Sequence, residues 1–166
     1  MKPGKAIEYI IKDGLVVEGD EPADQEFNGV WNGGVWKGGK FNGYWRGGRF
    51  VKGTFTGNMW SNGVWVSGNW DGCDWLDGEW RGGWWVSGVW HGGTWKRGVW
   101  HTGHWKTGTW HTGHWYFGHW DSGVWHGGTW DSGLWAGGEW LGGDWCSGTW
   151  ENGTWHDGTW YNGYWA

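Results

Sequence analysis

The 166-residue chain has only two prolines and two cysteines, and it contains no block of basic residues. Its hydrophobic runs fall short of the ~20 residues that a membrane helix needs, and the apolar stretch after Met1 is too short for a secretory signal. A formal net charge of −5 argues against nucleic acid as a partner. We therefore expect synthesis in the cytoplasm, no membrane association and no binding of nucleic acid.

Tryptophan and glycine are present in large excess, at 26 and 39 residues. From Trp60 to Trp165 every fifth residue is a tryptophan, and the register continues back through Phe55, Phe50 and Trp45. Glycine stands two residues before the aromatic at 23 of these 25 positions. The repeating unit is therefore x-W-x-x-G.

Four residues depart from this unit or vary within it. Trp84 lies outside the register, whereas Asn58 and Cys73 occupy glycine positions. Cys146 follows a core tryptophan. The two cysteines should point in different directions, so we expect no internal disulfide.

The tryptophans decide whether such a glycine-rich chain can fold. Each indole can bury roughly 150–250 Å², and the sum of that burial is comparable with the entropy lost when the glycine-rich backbone becomes ordered. The fold can exist only if nearly all the indoles are covered. Helix is excluded because glycine is too frequent and a period of five matches neither 3.6 nor 3.5 residues.

The chain divides into two parts. Residues 1–26 lie outside the repeat and predict an N-terminal β-hairpin around Asp13-Gly14, followed by an acidic connector, with a capping role. Residues 27–166 form the Trp/Gly pentad-repeat domain. At its start the aromatics of 27–31 and of 41–45 are four residues apart instead of five, so the first turns should be less regular than the rest.

Two all-β architectures fit the pentad. One is a β-solenoid in which four pentads make a square, quadrilateral coil with tryptophan inside. The other is an antiparallel β-hairpin meander with a stripe of indoles on one face. The turn sequences do not distinguish these two architectures, since Asn62-Gly63 favours a hairpin whereas Thr102-Gly103 suits a type II corner. Burial favours the solenoid, in which glycine leaves the space that the indole fills.

Three families show a similar pattern. A small residue two before a large hydrophobe resembles pentapeptide-repeat proteins, which form quadrilateral β-helices. The segments 27–34 and 41–48 resemble the core of MORN repeats, which are hairpin meanders. The whole array is most similar to uncharacterised Trp/Gly pentad arrays of large tailed bacteriophages, which implies a virion or tail-associated role.

Histidine is the reactive residue in excess. Seven of the eight histidines fall within segment 91–126, each beside a tryptophan and therefore facing outward: His91, His101, His104, His111, His114, His119 and His126. In the meander, His101 with His104 and His111 with His114 would flank single turns and approach a common metal. A solvated polar face is the favoured interpretation, so we predict no metal site.

Charge suggests one further site and one further effect. The segment Asp71–Asp77 is rich in carboxylates, as a calcium site would be, but its spacing matches no known loop and a solvated face is again favoured. Protonation of all eight histidines would move the formal charge from −5 toward +3, so solubility or self-association should respond to acid pH.

No pattern indicates catalysis or a cofactor, because a nucleophile elbow, a phosphate loop before a helix and a spaced metal motif are all missing. We expect a non-enzymatic structural or interaction protein: a rigid β rod or assembly module that binds proteins or self-associates into a homo-oligomer through its repeat ends. The alternatives are carbohydrate binding on exposed indoles and a DNA-mimic inhibitor of a topoisomerase, whose acidic residues would line one face.

Overall fold

The computed structural model describes residues 26–31, 33–36, 38–56 and 59–166. The predicted N-terminal hairpin and acidic connector lie outside these residues, apart from Glu26, where the first strand begins. The described chain is all-β, and every strand pair within it is parallel. The prediction of a β-solenoid with a tryptophan core is confirmed, and the antiparallel meander is wrong.

The solenoid has three faces, which we name A, B and C, and its strands are numbered in chain order. Face A consists of β2 (Val35–Trp36), β4 (Arg49–Phe50), β7 (Val64–Trp65), β9 (Glu79–Trp80), β11 (Thr94–Trp95), β14 (Thr109–Trp110), β17 (Val124–Trp125), β20 (Glu139–Trp140) and β23 (Thr154–Trp155). Face B contains β5 (Thr54–Phe55), β12 (Val99–Trp100), β15 (His114–Trp115), β18 (Thr129–Trp130), β21 (Asp144–Trp145) and β24 (Thr159–Trp160). Face C contains β6 (Met59–Trp60), β13 (His104–Trp105), β16 (His119–Trp120), β19 (Leu134–Trp135), β22 (Thr149–Trp150) and β25 (Tyr164–Trp165).

Four longer strands run from face B around the corner onto face C: β1 (Glu26–Trp31), β3 (Lys40–Trp45), β8 (Asn69–Trp75) and β10 (Trp84–Trp90). They join faces B and C into one 16-stranded sheet, while face A is a separate sheet of nine strands. Nine turns at about 4.8 Å each give a rod roughly 43 Å long.

Each regular turn contains three pentads. Thr94 pairs with Thr109, and His104 pairs with His119. The predicted quadrilateral coil of four pentads is therefore wrong in the number of its sides. Indoles are large, and each contacts the next indole of the chain in an edge-to-face arrangement, with ring centroids about 6 Å apart. Three of them therefore fill one layer of the core.

Stacked indoles form the core. Trp105 lies face to face with Trp90 and Trp120, at centroid distances of 4.7 and 4.6 Å. It also contacts Trp100 and Trp110 edge to face, with interplanar angles of 72° and 76°. Both arrangements suit the quadrupole of an aromatic ring. Every aromatic in register from Trp45 to Trp145 is 0% exposed, as the balance of burial against chain entropy requires.

Glycine at the corners is needed for two reasons, which Gly113 illustrates. Its φ of +138° is a conformation that L side chains rarely adopt. A Cβ there would also collide with the carbonyl oxygen of Gly98, one turn earlier, and lie 3.2 Å from Cζ2 of Trp110. The predicted role of glycine as the spatial complement of the indole is confirmed, and close stacking of the corner backbones is added to it.

The first turns are shorter by one residue, as the closer spacing of their aromatics predicts. Trp31 pairs with Trp45 and Phe41 with Phe55, one residue short of three pentads, whereas Trp45 pairs with Trp60 in the full three-pentad register. The shortening lies at the corner between faces B and C. The two irregular segments therefore stack on each other and disturb no other corner.

Candidate functional site

Function must be sought on the outside of the rod. The residues immediately before and after each core aromatic point outward, and those one turn apart follow one another along a face. His104 and His119 are neighbours in this way. A residue before one core tryptophan also approaches the residue that follows the core tryptophan of the next turn, as His114 approaches Asp131. We call this second kind a diagonal contact.

The predicted histidine pairs are not the ones that the structure brings together. His101 lies on face B and His104 on face C, on either side of a corner, and His111 and His114 are likewise divided between faces A and B. Contacts form between turns instead: the rings of His104 and His119 are 4.7 Å apart, and those of His111 and His126 are 4.9 Å apart. The predicted pairs failed because they depended on hairpins.

Face C carries a cluster of two imidazoles and one carboxylate. Nε2 of His104 lies 2.8 Å from Oδ2 of Asp121, and Nε2 of His119 lies 2.9 Å from Oδ1 of the same side chain. One atom from each of the three residues falls within 4.8 Å of the others. All three side chains are between 38% and 43% exposed. His119 and Asp121 flank the same core residue, Trp120, whereas His104 lies one turn earlier, three pentads away along the chain. The histidine spacing in the sequence did not reveal that His104 is their neighbour.

Two other histidines meet an aspartate by diagonal contact. His114 shares a hydrogen bond of 2.8 Å with Asp131 on face B. Nε2 of His91 lies 3.4 Å from Oδ2 of Asp74 on face C. These are partly exposed pairs, and such pairs contribute little to stability. They show that diagonal contact is a general way for this fold to join an imidazole and a carboxylate.

On face A, His111 lies between two basic neighbours. Its ring stacks on His126, and its Nε2 is 3.3 Å from Nζ of Lys96. Burial, followed by the charges of Lys96 and His126, lowers the pKa of His111, against a smaller opposing effect of Glu79. The neutral imidazole is therefore favoured in the folded state.

The carboxylates of 71–77 do not converge on a calcium ion. Asp71 accepts a hydrogen bond of 3.0 Å from the hydroxyl of Ser87. Asp74 faces His91, and Asp77 accepts a hydrogen bond of 2.7 Å from the amide of Gly78. Each of these side chains has its own partner within the fold.

Acidic residues are also divided among the faces rather than aligned. Glu79 and Glu139 lie on face A, Asp144 lies on face B, and Asp74 and Asp121 lie on face C. The DNA-mimic hypothesis requires them on one face, and the described residues do not meet that requirement.

An aromatic ladder runs along face B. The ring of Trp84 stacks on His101 at 5.3 Å, His101 stacks on Tyr116 at 5.2 Å, and Tyr116 stacks on His114 at 4.2 Å. Trp84 is 53% exposed. The stacking covers one ring face of Trp84 and leaves the indole half exposed. The carbohydrate hypothesis stays a prediction, now with very few accessible indoles to support it.

An open groove of about 620 Å³ follows the corner between faces B and C. Its sides include Thr102, Phe117 and Ser132 near the corner, and His119 and Leu134 on face C. Phe117 is exposed. The groove therefore borders the cluster of His104, His119 and Asp121.

Both cysteines are free, as predicted. Cys73 is buried in the B–C corner, where burial, with help from Asp74 and Asp71, raises the pKa of its thiol to about 12. Cys146 lies on the outside after Trp145 and is only half-buried; burial and then the neighbouring carboxylate of Asp131 raise its pKa as well.

The last turn leaves aromatic surface uncovered. Trp155 and Trp160 are partly buried, whereas Trp165 is 61% exposed and Tyr164 is more exposed still. Strands β23, β24 and β25 each pair on one side only. In the described chain, each face of this turn thus presents one indole and one strand that is unpaired on its outer side.

Among the described residues, the structure has no helix suited to crossing a membrane. Comparison of the chain with protein-family models, with curated proteins and with solved structures gave no match.

Proposed function

We propose that this chain is a non-enzymatic structural protein, a rigid β rod that joins other proteins, including further copies of itself, through its repeat ends. The observation that carries the proposal is the repetition of one geometry from turn to turn, in which each layer of core rings stacks on the layer before it and each strand pairs with a strand of the neighbouring turn. A surface with this geometry fits another turn of the same kind.

Rigidity supports the role of a rod. The core from Trp45 to Trp145 is one continuous stack of fully buried rings. Each turn also donates backbone hydrogen bonds to the turn before it, such as those of 3.0 Å from Thr109 to Gly93 and 2.8 Å from His111 to Trp95. Bending the rod would break packing and hydrogen bonds together, so its length and direction are well defined.

Attachment at the terminal turn would join one copy to the next in a repeating way. A parallel strand added to β23, β24 or β25 gains backbone hydrogen bonds, and an added indole layer covers the exposed rings. Such head-to-tail contacts form open filaments when they do not close into rings. The similarity to arrays of large tailed bacteriophages makes a virion or tail the proposed setting.

Self-association tests this proposal directly. We expect the molar mass in sedimentation equilibrium to rise with protein concentration, and the W165K substitution to reduce that rise because it places a charge on the terminal ring stack. The matched control is W84K, which changes another exposed tryptophan far from the terminal turn. A chain that stays monomeric at high concentration, or equal effects of both variants, would contradict the proposal.

A further inference from the structure

The cluster on face C has the composition of a metal site. We propose that His104, His119 and Asp121 bind a Zn²⁺ ion. This inference is independent of the proposed role as a rod, because it depends only on outward side chains.

The donor atoms converge as a small ion requires. Nε2 of both histidines and a carboxylate oxygen of Asp121 lie within 4.8 Å of one another, and Asp121 offers a different oxygen to each imidazole. Zn²⁺ binds imidazole nitrogen and carboxylate oxygen at about 2.0–2.2 Å. Small side-chain rotations would bring the three ligands to that distance and leave a fourth position for water.

An unsatisfied nitrogen distinguishes this cluster from the other His–Asp contacts. Nε2 of His104 is covered and makes no hydrogen bond, although Oδ2 of Asp121 is only 2.8 Å away. At the same distance, His114 does share a hydrogen bond with Asp131. A shared cation would satisfy a covered nitrogen that lies close to a carboxylate without being hydrogen-bonded to it.

The scaffold holds the two imidazoles in place. His104 and His119 are paired neighbours in the parallel ladder, and the core rings beside them, Trp105 and Trp120, stack at 4.6 Å. Ligands held on regular strands lose little freedom when an ion binds. His119 also borders the open groove, so the ion and its water would be accessible from solvent.

The residues one turn before and one turn after the cluster limit it to a single ion. Leu134 follows His119 along face C, and by the three-pentad register Ala136 follows Asp121, so the next turn offers apolar side chains. Lys106 precedes Asp121 in the same register and would oppose a cation. Its long flexible side chain can turn toward solvent.

Isothermal titration calorimetry of the full chain with Zn²⁺ tests the site. The visible absorption spectrum of Co²⁺ bound in place of Zn²⁺ reports the coordination. We expect one high-affinity Zn²⁺ per chain. H119Q and D121N should each weaken binding at least about tenfold, the low end of what even indirect partners contribute to metal affinity. K106Q should strengthen binding.

The matched control is the H111Q/H126Q double variant, which removes another stacked histidine pair that has a lysine neighbour but no carboxylate between its rings. It should bind Zn²⁺ as the unchanged chain does. Near-UV circular dichroism checks that all variants keep the indole stack. Absence of a stoichiometric site, or equal weakening in the control, would overturn the proposal.

Discussion

The inside and the outside of the solenoid follow different rules. At the core position of face C the residue is tryptophan in every turn from Trp60 to Trp165. At the outward position just before it, the same face carries Val89, His104, His119, Leu134 and Thr149 in successive turns. Two of five positions in the pentad hold the fold together, and the others are free to vary, so binding sites can be placed on the outside without disturbing the core.

Loss of a core ring should be the largest effect. We expect W105A to destabilise the fold by about 3–5 kcal/mol, since a large cavity would open among four contacting indoles. The control is W84A, which removes an exposed indole and should cost less than about 1 kcal/mol. Denaturant unfolding measures both. Similar costs would show that the two regions do not differ as described.

The second largest loss of stability should result from adding a methyl group at a corner glycine. G113A is expected to cost about 1–3 kcal/mol because of its positive φ and because its Cβ would meet the backbone of Gly98. G127A is the control, since the nearest neighbour of its Cβ would be the carbonyl oxygen of His111 at 3.9 Å, an ordinary contact. Thermal unfolding of the two variants compares them. A G127A variant as unstable as G113A would disprove the argument from the corners.

The reactivities of the two cysteines allow the inside and the outside of the solenoid to be compared within one chain. At pH 8 we expect iodoacetamide to modify Cys146 at least about tenfold faster than Cys73, because Cys73 is buried and its pKa is about 12. Peptide mapping by mass spectrometry gives both rates. In denaturant the difference should disappear, and a difference that persists there would show that burial is not its cause.

The smallest effect should be the pH dependence due to His111. Its pKa is lowered in the folded state, so the unfolded chain binds more protons as pH falls below the usual value near 6.5. His111 therefore favours folding above that pH and loses this contribution as the pH decreases. The free energy of unfolding at pH 8 and pH 5.5 should differ less in H111Q than in the unchanged chain. An unchanged or larger difference would contradict this assignment.

Much of the core could be predicted from the sequence. The strict tryptophan period, the glycine two residues earlier and the need to cover the indoles together favoured a solenoid over a meander. The number of sides was predicted wrongly, although the sequence contained signs of the turn length. Asn58 and Cys73, the two replaced glycines, are separated by three pentads, and the similar segments that begin at Phe27 and Phe41 are separated by one residue less.

The cluster of His104, His119 and Asp121 could not be found without the number of pentads in a turn. Histidines close in sequence drew attention to His101 with His104, whereas contacts on the surface join residues one turn apart, such as His104 and His119. A change from four pentads per turn to three changes every neighbour on the outside. It leaves the pattern of the core unaltered, because all core positions carry the same ring.

By itself the sequence determined which residues are inside, where the chain turns and that the fold is β. These properties depend on the local pentad: an indole must be buried, and glycine permits the corner. Only the tertiary structure decided that three pentads make a turn, because this depends on how indoles from different pentads fill a common cross-section. That packing sets the three-pentad register, and the register in turn brings His104, His119 and Asp121 together.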